Sequence, residues 1–128
     1  MQELFGTGEG QISISFLRLS IGSSDLDPSV FSYNDLAEGQ SDIDQTKFSL
    51  DHDKTNLIPL LKEILAISPK LKIMSAPWSP PAWMKDNHNS KGGTLKPELY
   101  DSYALYFVKY IKGMQREGIN IYAITPQN

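Results

Sequence analysis

Strand-like and helix-like patterns alternate along this chain, and that alternation restricts its possible folds more than any other feature. Ser15-Phe-Leu-Arg-Leu-Ser20 puts Phe16, Arg18 and Ser20 on one face and Leu17 and Leu19 on the other. Leu71-Lys-Ile-Met-Ser75 and Ile119-Asn-Ile-Tyr-Ala-Ile-Thr125 are apolar or β-branched runs of strand length. Between the first two runs, Leu57, Leu60, Leu61, Ile64 and Leu65 recur at helical spacing up to a stop at Ser68-Pro69. Pro59 sets the start of this helix near Asn56 or Leu57, because proline is tolerated only in a first turn. Tyr100, Tyr103, Ala104, Phe107, Ile111 and Met114 mark a longer second helix, with Pro97 in its opening turn and Gly118 closing it. The resulting β-α-β-α-β order predicts an α/β fold with a parallel sheet and crossover helices.

The connections are lopsided. Helix-to-strand returns are tight, at Ser68 to Lys70 and at Gly118, whereas Ile21 to Thr55 and Ala76 to Lys96 are long excursions. Typical loops of this kind run roughly 2–6 residues. Long loops after strand C-termini are where barrels and open doubly wound sheets both carry function, so loop length leaves the two architectures open. Three parallel strands cannot close a barrel, and such a sheet needs further strands to cover its edges.

Composition narrows the partners. Twelve Lys and Arg against 15 Asp and Glu give a formal charge of −3, with no basic cluster, which argues against nucleic acid. Without cysteine there are no disulfides, thiolate metal sites or cysteine nucleophile. No apolar run reaches the length of a membrane span, so stable membrane insertion is not expected. Met1-Gln-Glu-Leu-Phe5 lacks the basic start and apolar core of a signal peptide.

Most motif-like features have plain explanations. Gly6-Thr-Gly8-Glu-Gly10 precedes a strand rather than following one, which fits a turn and not a nucleotide loop. His52 and His88 lie in polar loops without companions at metal-ligand spacing, so no metal site is expected. Arg18, on a strand among apolar neighbours, is either an edge arginine or a donor to an active-site carboxylate. Ser23-Ser-Asp25 follows the first strand, where Asp is common for turn reasons alone. Ala76-Pro-Trp-Ser-Pro-Pro-Ala-Trp-Met-Lys85 is the most specific passage. Its tryptophans suit either a core-capping cluster or a stiff flat face for a pyranose ring. The polar ending Gln127-Asn128 on a strand exit is weak by itself.

Taken together, Leu17-Arg-Leu-Ser-Ile-Gly-Ser-Ser-Asp25, Phe31-Ser-Tyr-Asn-Asp35, Phe48-Ser-Leu, Ile58-Pro-Leu-Leu-Lys-Glu-Ile-Leu65, Ala76 to Lys85, Tyr106-Phe-Val-Lys-Tyr110 and Ala123-Ile-Thr-Pro-Gln-Asn128 resemble glycoside hydrolase family 30. This is the family of glucosylceramidases and endo-β-1,6-glucanases. The resemblance implies that residues 1–128 are the N-terminal part of a (β/α)8 barrel, holding about its second to fourth strands and stopping at the end of a strand. It implies a retaining β-glycosidase acting on a β-glucoside, without metal or organic cofactor, in a secreted, periplasmic or lysosomal setting. By the same resemblance Asp25 binds glucose hydroxyls, Trp78 lies beside the same sugar and Asn128 contacts its 2-hydroxyl. Arg18 supports the nucleophile's carboxylate, and Trp83 has a structural or rim role. The acid/base Glu is expected directly after Asn128 and the nucleophile on a later strand, so these residues alone are expected to be inactive. Pro126, at a position that varies in the family, cannot donate a ladder hydrogen bond and is expected to end its strand early. The alternative is a carbohydrate-binding α/β module in which Trp78 and Asp25 grip sugar without catalysis; an unrelated open α/β domain is weaker still.

Overall fold

The computed structural model describes residues 1–128. Three strands, β1 (Phe16–Ile21), β2 (Lys72–Pro77) and β3 (Ile121–Ile124), form one parallel sheet in the order β1-β2-β3. Register runs from Phe16 opposite Lys72 to Ile21 opposite Pro77, and Ile73 lies opposite Ile121. A bulge follows, because Met74 pairs with Ala123 and leaves Tyr122 outside the ladder. β3 ends before Pro126, as expected, with the Thr125 amide making a last bond to the Ser75 carbonyl at 3.0 Å.

Two crossover helices join the strands, preceded by a four-residue helix that periodicity did not signal. This is α1 (Gln2–Phe5), which seats Phe5 in the core. α2 (Leu57–Ile67) begins and ends where Pro59 and Ser68 require. Its buried residues are Ile58, Leu61 and Ile64, while Leu60, expected on the inner face, is exposed. α3 (Tyr100–Arg116) follows a 3-10 turn at Pro97–Leu99 and ends before Gly118, whose φ of +82° is the left-handed conformation glycine adopts without a Cβ clash.

The inner face of α3 keeps the expected Tyr103, Phe107 and Met114, with Ile111 packed at its edge, but differs at the remaining positions. Tyr100 and Ala104 point outward, and Tyr103, Tyr106, Phe107, Tyr110 and Met114 carry the packing. Tyr106 and Tyr110 join the stripe in place of Tyr100 and Ala104, and their hydroxyls allow it because each finds a polar atom. The Tyr106 hydroxyl accepts from the Tyr33 amide at 3.1 Å, and the Tyr110 hydroxyl lies 2.9 Å from the Ser75 hydroxyl. The Tyr33 ring stacks parallel to Tyr110, with centroids 5.7 Å apart. Both long helices and the β2 residue Ile73 share one apolar core on one face of the sheet. The other face keeps Phe16, Arg18 and Tyr122 exposed.

Burial of these phenols gives a pH signature. Burial pushes Tyr110 up to about 12 and also raises Tyr33, Tyr103 and Tyr106, with Asp53 adding to the rise at Tyr33. A raised acid holds its proton longer in the folded state than in the unfolded one. Its contribution to stability is therefore whole below the ordinary phenol value near 10 and falls as pH climbs through the folded value. Tyrosinate absorbance from these four rings is expected to appear together with loss of near-UV circular dichroism above about pH 10. Ionisation with tertiary structure intact would contradict this packing.

Candidate functional site

The C-terminal ends of the three strands carry the polar residues singled out by the sequence, and local geometry explains how each is held. After β1 the chain turns at Gly22, where φ is +80° and an added Cβ would lie 2.9 Å from the Phe31 carbonyl oxygen. Only glycine meets both demands at low cost. Ser23 is then fastened three ways, twice to Phe31 and once to Ser20. The Ser23 and Phe31 backbones bond at 3.0 Å, the Ser23 hydroxyl accepts from the Phe31 amide at 3.0 Å, and the Ser20 hydroxyl reaches the Ser23 carbonyl at 3.0 Å. Asp27 accepts from the Ser24 amide at 2.8 Å, closing a turn with exposed Asp25 inside it.

The remainder of the long loop is pinned by a buried polar network. The Asn34 side-chain amide donates to Asp42 at 3.0 Å and to Gln45 at 2.7 Å, and Gln45 donates to Ser102 on α3 at 3.0 Å. Burial pushes the Asp42 carboxyl up, but bonds from the Lys47 and Thr46 amides, the Thr46 hydroxyl and Asn34 outweigh it. They hold the group well below the usual carboxylate range.

Trp78 follows β2 directly, between buried Pro77 and the Ser79-Pro80-Pro81 run, and is half-buried. Trp83 is buried, with its indole N–H donating to the Asn34 carbonyl at 2.9 Å. The two readings of the tryptophan pair thus divide between them: Trp83 locks the loop as core, and Trp78 stays available at the surface. Asn128 lies past β3, where its side-chain oxygen accepts a hydrogen bond from the Arg18 guanidinium.

Arg18, Asp25, Trp78 and Asn128 line one cleft of about 290 Å³ together with Ser20, Ser24 and Ala76. Residues 110 positions apart meet there. Arg18 is exposed on the bare face of the sheet, so it does not bear the burial cost that its apolar sequence neighbours suggested. Its recorded side-chain partner is Asn128 rather than a carboxylate. Ser20 and Ser24 were missed; Ser20 has the same strand phase as Arg18, which was the available signal. His52 stacks on Phe31 with centroids 3.5 Å apart and does not line this cleft, and no group of three His, Cys, Asp or Glu is placed to hold a metal ion. The arrangement offers a cation, a carboxylate, an amide and an aromatic face around one small volume, the set of contacts a pyranose can use at once.

Comparison with known proteins bears on what this cleft belongs to. The family model described as the glycosyl hydrolase family 30 TIM-barrel domain matches residues 1–128. An endo-1,6-β-D-glucanase of Neurospora crassa is 39% identical over 121 residues, covering 91% of this chain and 25% of the relative. The lysosomal acid glucosylceramidase of Mus musculus is 30% identical over 124 residues, covering 91% and 24%. Among solved structures, an endo-β1,6-glucanase superposes with a TM-score of 0.87 at 40% identity, covering 99% of this chain and 28% of that one. The chain therefore spans about a quarter of the length of the curated relatives it matches.

Proposed function

The chain belongs to glycosyl hydrolase family 30, and from that premise we propose that it supplies the sugar-holding part of a retaining β-glycosidase whose substrate is a β-glucan or a glucosylceramide. The observation that carries this reading is the convergence of Arg18, Asp25, Trp78 and Asn128 on one cleft at the strand C-termini. That is the end of a parallel barrel where catalysis is found. On this reading Asp25 accepts hydrogen bonds from two sugar hydroxyls, Trp78 covers a ring face and Asn128 meets the 2-hydroxyl. The 2-hydroxyl contact strengthens as the anomeric carbon gains positive charge.

Arg18 has two tasks. It orients Asn128 through the hydrogen bond already formed, and its remaining N–H groups are free for the carboxylate of the nucleophile. Retaining glycosidases set two carboxyl groups about 5–5.5 Å apart, one as nucleophile and one as acid/base. In the full-length protein the acid/base Glu directly follows Asn128 and the nucleophile comes from a later strand. Residues 1–128 by themselves then bind and orient sugar without cleaving it, and the bare sheet face and open edges are covered by the rest of the barrel. Family membership supports a secreted, periplasmic or lysosomal location; no helix here is long and apolar enough to cross a membrane.

The test is Trp78→Ala in the full-length protein. Loss of a desolvated aromatic anchor costs about 2 kcal/mol, so kcat/KM on a β-glucoside is expected to fall roughly 30-fold. A full-length protein that binds β-glucan, loses binding in the variant and never releases sugar would make this a binding module instead. Unchanged kcat/KM would remove Trp78 from the site.

A further inference from the structure

The C-terminal half of α3 borders a cleft that the sugar reading does not use. It measures about 410 Å³ and lies between that helix and the loop before α2, lined by Phe48, Leu50, Lys54, Lys109, Lys112 and Arg116 among others. As the crossover between parallel strands, α3 runs back against the sheet and leads through Gly118 into β3. The cleft therefore sits toward the opposite end of the sheet from Asp25 and Asn128, and it shares no lining residue with their cleft. Gly113 lets the loop close on the helix, since a Cβ there would lie 2.7 Å from the Leu50 Cδ1 atom.

Cations dominate the lining, although no basic run marks them in the sequence. Lys109, Lys112 and Arg116 recur at helical spacing along one side of α3, and Lys54 comes from the loop facing them. Glu117, the carboxylate of the lining, is engaged by Lys62 of α2 at 2.7 Å, and Lys54 pairs with Asp51 at 2.6 Å. Lys109, Lys112 and Arg116 are in no ion pair. The Lys109 ammonium donates to the Gln45 carbonyl, a neutral acceptor that places the group without cancelling its charge. These charges are concentrated at one cleft in a chain whose formal charge is −3. A helix C-terminus ordinarily disfavours anions. Here the last carbonyls of α3 are covered: Gly113 and Met114 accept from the Glu117 amide, Gln115 from Gly118 at 3.0 Å, and Met114 again from Ile119 at 2.9 Å. The side chains, not the helix end, set the sign of the field.

We propose that this cleft binds a phosphate dianion, free or carried as a monoester on a small molecule, with Lys112 and Arg116 on its oxygens and Lys109 behind them. The guanidinium fork of Arg116 matches two oxygens of one phosphate, and an ammonium meets a third as a point charge. Two negative charges answer several unpaired cations better than a single carboxylate does. The space is concave and small, which suits a compact ligand rather than an extended polymer. Phe48 and Leu50 give an esterified ligand an apolar surface for its organic part. The assignment is independent of the sugar reading, because neither its residues nor its end of the sheet are shared with that cleft.

The experiment is calorimetric titration of the full-length protein with inorganic phosphate and, separately, with glycerol 3-phosphate. It is run at about pH 7.5, where phosphate is mostly dianionic, with ionic strength held constant by sodium chloride. Saturable binding of one equivalent is expected. The double variant Lys112→Gln, Arg116→Gln is expected to weaken it at least about tenfold, the size of one lost charge-assisted hydrogen bond. Both side chains are exposed, so the fold tolerates their loss, and kcat/KM on a β-glucoside is expected to stay at its wild-type value. Lys91→Gln removes an exposed cation outside the cleft and is expected to leave binding unchanged. Tighter binding of the ester than of the free anion assigns the cleft to a phosphorylated small molecule; equal binding assigns it to phosphate itself. No saturable binding of either compound, binding undiminished in the double variant, or an equal loss in Lys91→Gln would each overturn the proposal.

Discussion

Replacing Asp25 with alanine in the full-length protein is expected to lower kcat/KM on a β-glucoside by roughly 10²- to 10⁴-fold, with little change in melting temperature. The size follows from chemistry: hydrogen bonds to a charged acceptor are worth about 1.5–3 kcal/mol each, and a carboxylate can hold two neighbouring hydroxyls. The separation from stability follows from geometry. Asp25 is exposed, and the turn around it is closed by Ser24 and Asp27 and anchored by Ser23, none of which needs the Asp25 side chain. Asp25→Asn keeps the shape and removes the charge, so it is expected to fall between wild type and alanine. Steady-state kinetics beside a thermal melt check both halves. A variant that melts early and loses activity in proportion would mean that Asp25 is a turn residue only.

The largest effect on stability is expected at Tyr106. Its side chain is fully buried and its ring neighbours those of Tyr33, Phe48, Tyr103 and Phe107, with centroids 5.2 to 6.2 Å away. Tyr106→Ala removes this packing and leaves a cavity, at a cost of about 3–5 kcal/mol. Tyr106→Phe keeps the ring and deprives the Tyr33 amide of its acceptor, at about 1–3 kcal/mol. Denaturant midpoints of the full-length protein should rank wild type, Phe, Ala with a common slope. If the phenylalanine variant were as stable as wild type, the hydroxyl would have no part in fastening the loop after β1 to α3.

Residue pattern reveals the secondary structure here better than it reveals which face is which. The strands and long helices follow from periodicity and from Pro59, Pro69 and Gly118, each of which acts within a few residues of itself. Tyr106 and Tyr110 were left off the inner face of α3 because they look amphipathic in isolation. Only distant partners, the Tyr33 amide and the Ser75 hydroxyl, make their burial affordable. Leu60 fails in the opposite sense: it shares the apolar spacing of α2 but stays exposed while Ile58, Leu61 and Ile64 are buried. The Asn34–Asp42–Gln45–Ser102 network could not be read at all, because its members are ordinary loop residues until the fold brings them together. The first cleft was legible through resemblance rather than through physics.

The Arg18–Asn128 contact bridges the outer strands across the middle one. A pocket closed by the two ends of its own chain segment cannot exist in a half-folded molecule, because chain entropy delays such distant pairings until the intervening strand is seated. The sugar affinity proposed for this cleft is therefore a late-arriving property, and a sugar mimic lodged between those strands would favour the finished molecule over its precursors by mass action. The cleft proposed to hold the sugar would then also serve as a latch on the completed sheet.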